Sequence, residues 1–99
     1  MVVVNGIVKS TAESIEALKS AVSAMETASR AEPGCLDYTF SVELSDPVMI
    51  RITEKWDSVE SLQAHFGMPH MADFQAAMGE HPPESMDVSF YEVQEINPF

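Results

Sequence analysis

The chain is poor in positive charge: five Lys+Arg stand against sixteen Asp+Glu, a net charge of −11. A surface that acidic repels phosphate backbones, which argues against nucleic acid and anionic membranes as partners. Long apolar runs are also missing. Met1 to Val4 is followed at once by Asn5 and Gly6, and nothing approaches the roughly 20 apolar residues of a membrane-spanning helix. The N-terminal residues carry neither a basic leader nor a small-residue cleavage site, so no secretory signal is expected. A single cysteine, Cys35, excludes an internal disulfide and a cysteine-based metal site. Together these absences lead to the expectation of a reduced, cytoplasmic protein. A Gly-rich phosphate loop, a Ser/His/Asp order, a CxxC pair and an HExxH helix are all lacking. The expected cofactor is therefore none, and the expected metal none.

What is present is one domain spanning 1–99, 45% hydrophobic and 21% charged, without repeats or linkers. A chain of this size buries only about 60–65% of its unfolded surface, so a second layer or a partner subunit adds much to its stability. Val2 to Val8 is β-branched and reads as a strand. Ser10 with Glu13 forms a capping-box pattern, and Ile15, Leu18, Val22 and Met25 then recur at helical spacing until Pro33-Gly34. Cys35 to Glu43 alternates, with Leu36, Tyr38, Phe40 and Val42 expected on one face. After the turn at Ser45-Asp46-Pro47, Val48 to Trp56 completes a hairpin. Asp57 and Glu60 offer a cap for a short helix carrying Val59, Leu62 and Phe66. Gly67 breaks it, and Pro69 opens a second short helix with Met71, Phe74 and Met78. Met86 to Ile96 reads as a last strand. The order β-α-β-β-α-β is that of the ferredoxin-like split βαβ, an α+β fold: a four-stranded antiparallel sheet with helices on one face. Val3 and Ile7 on the first strand, and Tyr91 and Val93 on the last, project to the other face. An uncovered apolar face of that kind predicts a homodimer joined through the sheets.

Few residues stand out chemically. Glu54 shares a face with Val48, Ile50, Ile52 and Trp56, where desolvation raises a carboxyl toward a useful proton acceptor; the plainer alternative is an ion pair with Lys9 or Arg51. Asn5 interrupts a valine run and either donates to a substrate oxygen or satisfies a bulge beside Gly6. Trp56 is either a flat wall for an aromatic ligand or a core filler. His65 and His70 flank the Gly67-Met68-Pro69 break, five positions apart. That is not a metal spacing on one helix, and no carboxylate stands in sequence where a third ligand would be expected. Each imidazole is a candidate general base, His70 first because it adjoins a helix N-terminus, where a protonated ring is disfavoured. The alternative for both is a capping or surface role.

Three stretches taken in order, Glu32-Pro33-Gly34-Cys35-Leu36-Asp37-Tyr38, Glu54-Lys55-Trp56-Asp57-Ser58, and Ala64-His65 through Met68-Pro69-His70, resemble the antibiotic biosynthesis monooxygenase family, nearest its small bacterial quinol monooxygenases. The resemblance covers essentially the whole chain. It implies a dimeric α+β barrel and the oxygenation of a quinol or polyketide-like phenol by O2 without metal or flavin. Ionising a phenol makes an electron-rich anion able to reduce O2, so a base, a dry pocket and oxyanion donors suffice. The expected site lies between the sheet and the two short helices. His70, His65 and Asn5 are its expected catalytic groups, and Trp56, Glu54, Tyr38 and Phe74 its substrate contacts. Similar haem-degrading proteins use an Asn on the first strand, a Trp and an axial His; the latter two positions fall on His65 and Gln75, which disfavours haem. An isomerase of a phosphorylated hydroxy-dione is disfavoured by the scarcity of cations. A non-catalytic, ligand-binding dimer is the remaining alternative.

Overall fold

The computed structural model describes residues 1–99. Its elements run β1 (Val2–Lys9), α1 (Ala12–Arg30), β2 (Cys35–Val42), β3 (Met49–Trp56), α2 (Val59–Phe66), α3 (Pro69–Glu80) and β4 (Ser85–Glu92). The four strands form one antiparallel sheet in the order β2-β3-β1-β4. This is the ferredoxin-like α+β arrangement that the element order predicts.

The period of two along each strand decides which side chains meet the helices. Val2, Val4 and Val8 of β1, Ile52, Glu54 and Trp56 of β3, and Tyr38 of β2 are all buried on the helix-covered side. Met25 of α1 and Leu62 of α2 close over Val2, Val4, Tyr38 and Trp56 to form the core cluster. Each such buried side chain contributes about 1.5–3 kcal/mol through removal from water. No helix is long and apolar enough to cross a membrane.

Local details differ from the sequence reading in four places. The α1 cap is Thr11, whose hydroxyl accepts from the Ser14 amide at 3.1 Å, while Ser10 is buried and its amide donates to the Val48 carbonyl at 2.9 Å. The α2 cap is Ser58, one residue beyond Asp57. A bulge between Cys35 and Asp37 breaks the expected alternation in β2. It places Cys35 opposite Trp56 against the core and turns Leu36 outward, because one inserted residue inverts the facing of what precedes it. Finally, β4 stops at Glu92, and residues 93–99 form no strand.

The connection between α1 and β2 sets up the site. Glu32-Pro33-Gly34-Cys35 is a tight turn closed by the Cys35 amide donating to the Glu32 carbonyl at 3.2 Å. Pro33 presets the second position, and Gly34 supplies the φ of +84° that the third requires. A Cβ on Gly34 would also collide with the Ser61 and Asp57 side chains. The turn therefore seats Glu32 against α2 and holds it there.

Candidate active site: an apolar cavity and a buried polar cluster

A cavity of about 480 Å³ lies between the sheet and α3. Val4, Ile52, Val88 and Phe90 form its floor, while Phe66, Met71, Phe74 and Met78 cover it. Phe74 meets the Phe40 ring edge-on at 5.4 Å, and Phe66 meets Phe90 at 6.3 Å, pairings that stiffen the apolar wall. Within it stand one carboxylate, Glu54, the phenol-bearing Tyr38, and the amide of Gln75. The volume and the flat aromatic walls suit a ligand of one to a few fused rings.

Glu54 is buried in that wall and takes a hydrogen bond from Trp56, whose indole Nε1 donates to Oε1 at 3.0 Å. Burial pushes the Glu54 carboxyl above its ordinary range, opposed by the indole hydrogen bond and by neighbouring His65. Neither basic residue considered as its partner reaches it: Lys9 pairs with Glu84 and Arg51 with Glu43. Burial first, and the Glu54 carboxylate second, likewise push the Tyr38 phenol far above its usual range, so it stays protonated. A desolvated carboxylate facing an apolar cavity is positioned to take a proton from a bound acid.

Behind Tyr38 lies the second feature. His65 is fully buried, its ring 4.9 Å from Trp56 and 5.3 Å from Tyr38. Glu32 Oε2 lies 2.6 Å from His65 Nδ1 and 2.7 Å from His70 Nε2. One carboxylate oxygen thus accepts from two imidazoles, distances typical of charge-assisted hydrogen bonds. Glu32 Oε1 and His65 Nε2 are buried without any partner.

The expected site residues therefore divide. Tyr38, Glu54 and Phe74 line one cavity. His65, His70 and Trp56 do not line it. Trp56 is completely buried in the core and presents no face to a ligand; its part is the hydrogen bond to Glu54. Asn5 is a correction: it is exposed, pairs with Thr53 and Ser89, and points to the uncovered face with Val3 and Ile7. The period of two that buries Val4 turns Asn5 away from the cavity. A second correction concerns the histidines, for a carboxylate does accompany them. Glu32 lies 33 residues before His65 and 38 before His70, a separation that spacing rules for one helix do not cover. Its signal was its place in the same three-part motif.

A model of the family described as antibiotic biosynthesis monooxygenase matches residues 1–77. The chain belongs to the antibiotic biosynthesis monooxygenase family. A Mycobacterium tuberculosis member, Rv0793, whose monooxygenase name is provisional, is 36% identical over 64 residues. That match spans 65% of this chain and 62% of Rv0793, less than two thirds of its length. The solved structure of Rv0793 superposes with a TM-score of 0.84 at 25% identity over 96% of each chain. A Deinococcus radiodurans family member, also provisionally named, superposes with a TM-score of 0.90 at 28% identity, covering 100% of this chain and 98% of its own. A Nitrosomonas europaea structure at 19% identity, TM-score 0.88, covering 96% of this chain and 100% of that one, shares the fold. Family membership and these names support a monooxygenase-type activity.

Proposed function

We propose that this protein oxygenates a flat quinol- or polyketide-like phenol with O2 in the cavity beneath α3, and that Glu54 is the base. The observation that carries the reading is the isolated, desolvated Glu54 carboxylate in an otherwise apolar aromatic-walled cavity. Glu54 takes the place of His70 and His65 as the proposed base, because neither imidazole lines the cavity.

The chemistry balances without an added reductant. Glu54 removes the phenolic proton, and the phenolate ring supplies electrons to O2, forming a C–O bond to a peroxide. The carboxyl returns its proton to that peroxide. Loss of the ring C–H proton with cleavage of the O–O bond expels water and leaves a carbonyl. The substrate loses two hydrogen atoms and gains one oxygen atom, a four-electron oxidation, and O2 takes up those four electrons to become that oxygen atom and water. An apolar enclosure favours each step by excluding water from the peroxide.

The same reading includes a homodimer through the open sheet face, where Val3, Ile7, Leu36 and Tyr91 are solvent-facing. The test is dioxygen uptake with a panel of reduced quinones and anthrone-like phenols, with product analysis under ¹⁸O2. Uptake with one labelled oxygen in the product is expected. Tight binding of the same compounds with no uptake would replace the enzyme reading by a non-catalytic ligand carrier.

A further inference from the structure

The Glu32–His65–His70 cluster is unused by the chemistry above, yet it is the most concentrated set of buried polar groups in the fold. Its three donor atoms come from three separate segments: the α1–β2 turn, the last turn of α2 and the first turn of α3. They all lie within 4.8 Å of one another. Glu32 is a buried carboxylate for which no ordinary cation is at hand. Lys9, Lys19, Arg30 and Arg51 pair with Glu84, Glu16, Glu26 and Glu43, and Lys55, between Glu54 and Trp56 on β3, faces the opposite side of the sheet. Its only hydrogen-bond partners are the two imidazoles, its second oxygen has none, and the other titratable groups close enough to feel its charge, Cys35, Tyr38 and Glu54, supply no cation. A buried carboxylate without compensating charge is costly.

We propose that Glu32 Oε2, His65 Nδ1 and His70 Nε2 bind one first-row divalent transition-metal ion. Two imidazoles and one carboxylate are a donor set suited to zinc, iron, cobalt or nickel, whereas calcium and magnesium favour all-oxygen sites. Three protein donors leave at least one coordination position for water. At bond lengths of about 2.0–2.1 Å the donors stand roughly 3.0–3.4 Å apart, so the contacts of 2.6 and 2.7 Å must open by several tenths of an ångström. His70 can supply that movement, since its side chain is 22% exposed while those of His65 and Glu32 are almost sealed. Each bound nitrogen gives up its proton, which transfers to the other nitrogen of the same ring or leaves to solvent. The ion would join three segments and pin the start of α3, the helix that covers the cavity. This inference is independent of the role given to Glu54, and its test reads binding rather than turnover.

The experiment is calorimetric titration of the chelator-treated full chain with Zn²⁺, with Co²⁺ absorption as a second readout. Wild type should take one ion per chain with micromolar or tighter affinity, show visible cobalt bands, and melt at a higher temperature as Zn²⁺ is added. His70→Ala and Glu32→Gln should each weaken binding by at least about tenfold. His81→Ala, outside the cluster, should leave it unchanged and so controls for zinc held by the acidic surface. Circular dichroism verifies folding, and His70→Ala alone suffices should Glu32→Gln not fold. Absence of a stoichiometric site in folded wild type, or wild-type affinity in folded His70→Ala, overturns the proposal and leaves the cluster a purely hydrogen-bonded one.

Discussion

Two buried carboxylates lie on the helix-covered side of this sheet, and their surroundings differ sharply. Glu54 stands in an aromatic and aliphatic wall with one neutral donor, the Trp56 indole, at 3.0 Å. Glu32 is held by two imidazoles on a single oxygen at 2.6 and 2.7 Å. The first is short of partners on the side that faces a cavity, so burial works against its charge and a bound acid is the natural proton donor. The second is engaged from two directions and ties three chain segments together. Burial of a carboxylate is thus not in itself a catalytic signature. What distinguishes the two is whether the unsatisfied direction opens onto space a ligand can occupy.

The comparison breaks most visibly at Glu54. Glu54→Gln keeps the shape and still accepts from the Trp56 indole, so it should fold normally while losing about 10²–10⁴ of the turnover measured as oxygen uptake. A variant retaining full rate would remove Glu54 as the base. Because burial raises the folded carboxyl above its unfolded value, the native state binds more protons than the unfolded one in the interval between the two. Stability contributed there is therefore lost as pH rises through that interval, and the acid limb of turnover lies above the ordinary carboxylate range. Denaturation across pH should show this slope in wild type and a flatter one in Glu54→Gln.

Next in size are the two histidines, whose truncation should separate a core imidazole from a peripheral one. His65→Ala removes a fully buried ring and leaves Glu32 with one partner, costing about 3–5 kcal/mol in chemical denaturation. His70→Ala, partly exposed, should cost about 1 kcal/mol. Equal losses would show that the cluster is held as strongly from the α3 side as from α2. Gly34→Ala, which forces a Cβ against Ser61 and Asp57 at a positive φ, should cost about 1–3 kcal/mol in the same assay. The smallest effect is at Asn5, exposed on the opposite face. Asn5→Ala should leave turnover unchanged and shift stability by less than about 0.5 kcal/mol; a loss of activity with the fold intact would bring the open face into the chemistry.

Much of this molecule was legible in the chain. Strand periodicity, the α1 stripe and the Pro33-Gly34 turn determine the split-βαβ order, because each element must bury one face and the breaks between elements are local. The period of two also put Glu54 among apolar neighbours, and it carried the information that Asn5 faces with Val3 and Ile7, away from Val4. Tyr38, Glu54 and Phe74 could be named as substrate contacts from their motif and element, but only together with Trp56, which lies in the core instead. The convergence of the first three on one cavity was decided by strand register and by the seating of α3, which are tertiary quantities. The β2 bulge that turns Leu36 outward was invisible for the same reason, since alternation in a single strand does not report its partner's register. The pairing of Glu32 with His65 and His70 was likewise out of reach: the residues are separated by more than thirty positions. Sequence determined which carboxylates and imidazoles were available and on which elements they ride. Only the packed structure decided that one carboxylate would face an apolar cavity and the other two imidazoles, because the environment that sets each group's charge is built from residues remote in the chain.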